Sequence, residues 1–344
     1  MQEEGMRALT ALGWNMPEGA SALLGLDPDM GGVPGAMPLP LRPVTETVWW
    51  AGPRPTLLGW CRQVGIVPQT RWRTQWRTAA GLVELARPRV MGILNVTPDS
   101  FSDGGRYPTR QAQEERVQAL LDAGADWIDV GGESTRPGHV PVDADVEWKR
   151  LEPLLTRLPL SVRTRLSVDT RHAAVAERAA ALGVCVINDV SGLLDPALRR
   201  VADRWPVGLV YMFNRPAVFG SGDFDLGAVM GEMHEALSRL ATLPGGLERV
   251  AVDPGLGFAY GGAGNLAVLR NLELFRLWGR PVVVGGSRKR FLGGLTGRPV
   301  ESRDAASVAM AAISALRGAD IVRAHAVAET VDAVRVAEGL ARFD

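Results

Sequence analysis

From residue 82 onward the hydrophobic pattern alternates regularly. Short apolar runs of strand length are followed by longer stretches with helical spacing. The apolar runs predict strands at 90–95, 126–131, 163–168, 184–188, 207–212, 249–252, 281–285 and 319–323. Between them, Gln111 to Ala123, Ala173 to Leu182 and Ser307 to Leu316 read as helices, the last ended by Gly318. Eight strand–helix units in about 250 residues is the size of a (β/α)8 TIM barrel, an α/β fold. A doubly wound open sheet shares this alternation. It usually carries a glycine-rich dinucleotide loop after its first strand, and no G-x-G-x-x-G follows residues 90–95. Leu82 to Ala86 reads as one further short strand. Arg87-Pro88 turns it, and Arg89 to Asn95 is its expected hairpin partner.

The first barrel strand shows where chemistry is placed. Val90 to Leu94 is apolar, and the chain then breaks into Asn95-Val96-Thr97-Pro98-Asp99-Ser100-Phe101-Ser102-Asp103-Gly104-Gly105, which is loop chemistry. An apolar strand that delivers a polar side chain, here Asn95, at its C-terminal end is how α/β enzymes position functional groups. The second strand runs into Gly131-Gly132-Glu133-Ser134-Thr135-Arg136-Pro137-Gly138, where Arg136 is a natural fork for a carboxylate or phosphate. The third ends in Val168-Asp169-Thr170, the fourth in Ile187-Asn188-Asp189, and the sixth in Asp253-Pro254-Gly255-Leu256-Gly257-Phe258. A lone Asp at a strand end is often a helix cap. Asp169, Asn188 and Asp253 arriving at one barrel mouth point instead to a site. The seventh strand runs into Ser287-Arg288-Lys289, and the eighth carries Arg323 and His325, whose spacing puts both on one side of the strand and suits a phosphate. The other histidines, His139, His172 and His234, form no three-residue His/Cys constellation with the cysteines, so a transition-metal site is not expected.

Residues 1–81 differ from the rest and form an N-terminal extension to the barrel at 82–344. They hold six of the ten tryptophans, namely Trp14, Trp49, Trp50, Trp60, Trp72 and Trp76, and residues 27 to 45 read as mostly irregular. Arg71 to Arg77 interleaves arginine with aromatics, as single-strand nucleic-acid grips do. The near-zero net charge of the segment favours aromatics packed on the neighbouring domain with the arginines in solvent. No function is assigned to this extension.

Composition narrows the partners. The 344 residues contain 46% hydrophobic side chains, enough to bury a large core, and 38 bases balance 38 acids. That balance gives no global pull toward nucleic acid or an anionic membrane, which leaves small molecules or proteins. Lysine is scarce, with only Lys149 and Lys289, so a lysine beside a strand end stands out. Two cysteines, Cys61 and Cys185, build no disulfide framework and read as buried thiols in a reducing compartment. No apolar stretch approaches the ~20 residues of a membrane span. The acidic start, Met1-Gln2-Glu3-Glu4-Gly5, lacks the layout of a secretory signal, so the cytoplasm is expected.

The strand ends resemble those of the dihydropteroate synthases, the pterin-binding enzymes of folate biosynthesis. The stretch Met91 to Gly105 resembles the signature that opens the barrel of that family. Ser134-Thr135-Arg136-Pro137 resembles its second mobile loop, and Asp253-Pro254-Gly255, Ser287-Arg288-Lys289 and Arg323-Ala324-His325 match further family motifs. The resemblance begins near residue 82 and covers every strand end but the fifth. It implies the condensation of 6-hydroxymethyl-7,8-dihydropterin diphosphate with 4-aminobenzoate to 7,8-dihydropteroate and diphosphate. It places the pterin on Asp169, Asn188, Asp253 and Lys289, and 4-aminobenzoate on Thr135, Arg136, Pro137, Ser287 and Phe258. It assigns the departing diphosphate to Asn95, Arg323 and His325, with Mg2+ reached by Asn95, and makes Lys289, Arg323 and His325 the catalytic groups. Loops 97–109 and 132–142 are expected to close over the substrates, with Asp103 ordering the closed state. The family also implies a homodimer.

Three stretches depart from the family pattern. Tyr211-Met212-Phe213-Asn214-Arg215-Pro216 replaces a Met-His-Met-like run, Tyr260 stands where a Lys is common, and Ala326 follows His325 where the family has Asp. None of them replaces a residue placed in the chemistry. They define the alternative reading, a pterin-binding paralogue with low or no activity. A pterin-binding barrel that transfers a methyl group is a second alternative, but it would need neither the Thr135-Arg136-Pro137 loop nor Ser287-Arg288-Lys289.

Overall fold

The computed structural model describes residues 74–97, 110–133, 140–193, 195–215 and 224–341, together with the backbone of three short strands ahead of them. Those three, β1 (Ala22–Leu26), β2 (Met37–Pro38) and β3 (Val48–Gly52), form an antiparallel sheet in the order β1-β3-β2.

A hairpin comes next: β4 (Thr74–Thr78) pairs antiparallel with β5 (Gly81–Leu85), Trp76 opposite Val83. This corrects the expected pairing of residues 82–86 with 89–95. The reason lies in the two burial patterns. Only Leu85 of β5 is buried, as an edge hairpin allows, whereas Arg89–Asn95 is buried along nearly its whole length, as a parallel strand covered on both faces must be. Arg89–Asn95 is therefore the first barrel strand, β6.

Seven strands follow: β7 (Trp127–Gly131), β8 (Leu166–Asp169), β9 (Val186–Asp189), β10 (Gly208–Met212), β11 (Val250–Asp253), β12 (Val283–Val284) and β13 (Ile321–Ala324). With β6 they form one parallel eight-stranded sheet in the order β11-β10-β9-β8-β7-β6-β13-β12. A parallel bridge between Val252 and Val282 brings the two ends together, so the sheet is a nearly closed barrel. Helices surround it, among them Arg110–Asp122, Ala173–Ala181 and Asp304–Leu316, each within a few residues of its expected position. No described helix is long and apolar enough to cross a membrane.

The core has two layers. The outer layer lies between strands and helices and includes Val90, Ile128, Val168, Leu209 and Val252. The inner layer fills the bottom of the barrel with Met91, Trp127, Val186, Val210, Val283 and Ile321, and the hairpin adds Trp76 and Leu85 from below. Trp76 is fully buried, meets Trp127 edge-on at 5.7 Å, and donates its indole N–H to the Arg249 carbonyl at 2.9 Å. Its neighbour Arg77 is exposed and paired with Glu248. Trp76 and Arg77 thus divide as the near-zero charge of the segment favours, ring against the barrel and guanidinium in solvent; Trp72 lies outside the described residues. The floor begins at Thr74, so residues on both sides of position 82 belong to it.

Strand register prepares the mouth. Asn95 lies beside Gly131, Gly131 beside Asp169, and Asp169 beside Asn188; further round, Asp253 lies beside Met212. The polar strand ends therefore stand in one layer at the C-terminal rim, where barrel enzymes build their sites.

Candidate active site

Two kinds of aspartate follow the strands. Asp143, Asp195 and Asp225 each begin a helix and accept a hydrogen bond from a backbone N–H in its first turn. They are caps. Asp129, Asp169 and Asp253 belong to the strands themselves, and all three are buried.

Arg323 lies across the mouth. Its Nε donates to Asp129 Oδ2 at 2.5 Å, and its Nη2 donates to Asp169 Oδ2 at 2.6 Å. Asn188 Nδ2 donates to the same Asp129 oxygen at 2.9 Å. A carboxylate only accepts, so this contact fixes the Asn188 amide with its nitrogen toward Asp129 and its oxygen turned to the other side. Asp129 Oδ1 and Asp169 Oδ1 are buried with no partner among the described residues. Oxygens so placed suit a ligand that presents adjacent N–H donors.

Titration follows from this crowding. Burial pushes the Asp169 carboxyl up, with the Asp129 charge adding to it and Arg323 opposing. Burial pushes Asp253 up to about 6, against the Gly255 N–H that Oδ1 accepts at 2.7 Å and the charges of Lys289 and Arg323. Lys289 moves the other way. Burial, then the Arg323 charge, brings it down to about 8, while Asp253 and Asp169 hold it up. Arg323 is raised further above its ordinary value, because the Asp129 and Asp169 carboxylates outweigh the cost of its burial.

Lys289 is placed by its neighbours. Its Nζ lies 3.5 Å from the centre of the Phe258 ring, a cation–π contact. Its stem lies over Gly257, where a Cβ would come within 2.7 Å of Lys289 Cδ, so only glycine leaves it room. The preceding Arg288 has a left-handed φ of 57°, and its guanidinium is forked onto Asp304 at 2.6 and 2.8 Å. That strained residue sits between Ser287 and Lys289, which lets both reach the mouth. Ser287 Oγ and His325 Nδ1 are hydrogen-bonded at 3.0 Å. Arg323 and His325 thus share a strand end but have different partners, carboxylates for one and a hydroxyl for the other. Asn95 is half-buried at the rim beside Gly131, where an added Cβ would lie 3.7 Å from its amide oxygen. Asp103, Thr135, Arg136 and Pro137 lie outside the described residues.

Sequence reasoning missed Asp129, although it is the hub that joins Asn188 to Arg323. The signal was present, because Trp127-Ile128-Asp129-Val130-Gly131 is a buried strand with one carboxylate inside it. Also missed was a buried polar cluster just behind the mouth. Glu133 accepts two hydrogen bonds from Arg171 at 3.0 and 3.1 Å, and one from the Val142 N–H at 3.2 Å. Glu147 accepts from the Thr170 hydroxyl at 2.8 Å, and burial pushes it up to about 8. With His172 these carboxylates have ligand atoms within 4.8 Å of one another, a spacing that a metal ion could bridge. The hydrogen bonds argue against one. His172 Nε2 is 3.0 Å from the Val142 carbonyl, which can only accept, and Arg171 already supplies the positive charge at Glu133.

The comparisons agree with this geometry. The sequence pattern of the pterin binding enzyme family matches residues 91–325. A dihydropteroate synthase of Bacillus subtilis is 41% identical over 240 residues, covering 69% of this chain and 83% of that protein. A probable bifunctional folylpolyglutamate synthase/dihydropteroate synthase of Halobacterium salinarum is 42% identical over 259 residues; the match takes in 73% of this chain but only 31% of that longer protein. The structure of a Xanthomonas albilineans dihydropteroate synthase with 4-aminobenzoic acid superimposes with a TM-score of 0.70 at 37% identity, covering 78% of this chain and 98% of that one. The chain belongs to the dihydropteroate synthase family of pterin-binding enzymes.

Proposed function

We propose that the strand-end residues carry out dihydropteroate synthesis, joining 6-hydroxymethyl-7,8-dihydropterin diphosphate to 4-aminobenzoate with release of diphosphate. The observation that carries the assignment of roles is the group of buried strand-end acceptors, Asp129, Asp169, Asn188 and Asp253, with the Lys289 charge acting on Asp169 and Asp253. A pterin edge presents an amino group beside a ring N–H, and an ionised carboxylate accepts both at once. Asp253 takes that edge, while Asp169 and Asn188 take the remaining ring atoms. Lys289 donates to the pterin carbonyl from its seat on Phe258.

The C–O bond between the pterin methylene and the diphosphate then breaks, and the electron pair leaves with the oxygen. Arg323 and His325 offset the charge that builds up there by fixed electrostatics. Arg323 first has to release one of its carboxylates, which pterin binding makes easier by giving Asp129 and Asp169 new donors. The methylene cation is stabilised by the ring these residues hold. The 4-aminobenzoate amine attacks it, forming the C–N bond, and its proton leaves with the released diphosphate, with Ser287 and Phe258 at the aromatic acid and Thr135, Arg136 and Pro137 closing from the second loop. Exclusion of water, with Asp103 helping to order the first loop, protects the cation from capture. Asn95 offers one neutral, hard oxygen at the rim. Asn95 would hold Mg2+ through this oxygen, which suits a hard cation better than a softer metal. When bound, Mg2+ supplies charge neutralisation at the diphosphate.

We also place the enzyme in the cytoplasm as a homodimer. Leu295, Ile313, Leu316, Val336 and Leu340 are exposed on the last three helices, and Ile313/Leu316 and Val336/Leu340 each share a helix face. The alternative of a pterin-binding paralogue without activity finds no support in the comparisons. The test is diphosphate release by the purified protein, given Mg2+ and the pterin diphosphate, with and without 4-aminobenzoate. Release that depends on 4-aminobenzoate is expected; binding of both substrates without release would refute these catalytic roles.

A further inference from the structure

Asp253 opens a turn that runs through Pro254 to Gly261 before the helix Gly262–Arg270. This turn also supplies Gly257 and Phe258, the seat of Lys289. Two of the three departures from the family pattern, the run around Phe213 and the residue Tyr260, meet on it. Tyr260 is buried, and its hydroxyl donates to the Pro254 carbonyl, closing the turn end to end. Its ring stacks on Phe213 with centroids 5.7 Å apart and planes 7° from parallel, and Phe224 meets it edge-on at 5.4 Å. Phe213 in turn holds the strand end, since its N–H donates to the Asp253 carbonyl at 2.8 Å. Its own carbonyl lies so close to Gly255 that a Cβ there would come within 1.9 Å, and Gly255 has a φ of 77°. The Asp253–Gly255 corner is therefore wedged between the fifth strand end and the Tyr260 hydroxyl.

The other half of the turn has a separate anchor. Asn265 is buried. Its Oδ1 accepts from the Gly257 N–H at 2.6 Å, and its Nδ2 donates to the carbonyls of Tyr260 at 3.2 Å and Gly261 at 2.7 Å. Gly257 is thus held by Asn265, while Asp253 is held by Phe213 and Tyr260, and the two halves meet where the Phe258 N–H donates to the Gly255 carbonyl at 3.2 Å.

We propose that Tyr260 is a positioning residue for pterin capture, its hydroxyl and stacked ring clipping the Asp253–Gly255 corner to the fifth strand so that Asp253 presents its outer oxygen in one direction. The proposal rests on the assignment of Asp253 to the pterin. The aromatic run at Phe213 and the aromatic residue at 260 then work as a pair, one supplying the platform and the other the hydroxyl. These two departures maintain the site by other means.

Tyr260→Phe tests this directly, because it keeps the ring and the stack and deletes only the hydroxyl. Binding of the pterin diphosphate by calorimetry is expected to weaken about five-fold, the value of one lost neutral hydrogen bond. In turnover the KM for the pterin diphosphate should rise by the same factor. The KM for 4-aminobenzoate should hold, because Asn265 still anchors Gly257 next to Phe258, and the Tm should move by no more than a few degrees. Tyr260→Leu, which also removes the platform contact, should weaken pterin binding further. Equal pterin binding by wild type and Tyr260→Phe overturns the proposal. So does a parallel rise in both KM values with a large fall in Tm, which marks a merely structural role. A wild type without turnover, but with the binding difference intact, would refute the catalytic roles above and leave this inference standing.

Discussion

The two ends of this barrel handle buried charge in opposite ways. At the floor, Arg249 is buried and gives five hydrogen bonds to the carbonyls of Val207, Ala202, Pro244 and Trp205, the shortest at 2.5 Å and the longest at 3.0 Å. Asp320, just before the last barrel strand, accepts from the Thr74 hydroxyl, Arg276 and the Val282 N–H. At the mouth, Asp129 and Asp169 share one guanidinium and each keeps a buried oxygen without a partner among the described residues. Lys289 rests on an aromatic face and is pushed down toward neutrality. The floor holds the fold, and the hydrogen-bonding atoms of Arg249 and Asp320 are matched within the chain. The mouth leaves carboxylate oxygens unmatched within the chain, and on the proposed function a donor-rich heterocycle would match them. The same residue types serve stability at one end and recognition at the other, and the difference is whether the chain supplies the partner.

This contrast can be broken most forcefully at the floor. Arg249→Met leaves several buried carbonyls without donors, and is expected to cost ~3–5 kcal/mol of stability in urea unfolding, with both KM values of the folded enzyme unchanged. A loss of substrate affinity without a loss of stability would erase the distinction. Glu147, in the layer just behind the mouth, gives an intermediate case. Burial raises it from its ordinary 4.5 to about 8, so the folded state keeps a proton that the unfolded chain gives up. Stability therefore falls as pH rises from 4.5 to 8 and recovers as pH is lowered through that window. Glu147→Gln removes this slope and should be the more stable protein at pH 8 by ~1–3 kcal/mol; equal slopes in wild type and variant would contradict the burial argument. The mouth itself should titrate in activity. Asp253, raised to about 6, must be ionised to accept from the pterin, and Lys289, lowered to about 8, must be charged to donate. A bell-shaped kcat/KM is expected, falling about ten-fold per unit below pH 6 and above pH 8. A flat profile from pH 5 to 9 would remove both groups from the mechanism.

Local signals in the sequence carried much of this. Apolar runs located all eight barrel strands, and the residues at their ends marked Asn95, Asp169, Asn188, Asp253, Lys289, Arg323 and His325. Pairings between distant segments were not legible. Asp129 stands alone in an apolar strand, and its meaning depends on Arg323, which lies 194 positions later. The partner of β5 was misjudged because the turn at Arg87-Pro88 looked like a hairpin, while the actual hairpin closes through Thr78 and Ala80, with the Thr78 hydroxyl accepting from the Ala80 N–H at 3.2 Å. The Glu133–Arg171–His172 cluster assembles from two strand ends, and no spacing within either reveals it. Tyr260 was visible only as a departure, and its role emerges from Pro254 and Phe213 in the fold.

The division between a matched floor and a mismatched mouth is tested most directly by measuring affinity and stability together on Asp253→Asn, which keeps the shape of the side chain and removes its charge. Calorimetry with the pterin diphosphate and urea unfolding on the same preparation give both numbers. Pterin binding is expected to be at least thirty-fold weaker, on the order of 2 kcal/mol, with stability unchanged or slightly higher because a crowded buried carboxylate has gone. Unchanged pterin affinity, or a loss of stability as large as that of Arg249→Met, would contradict that division.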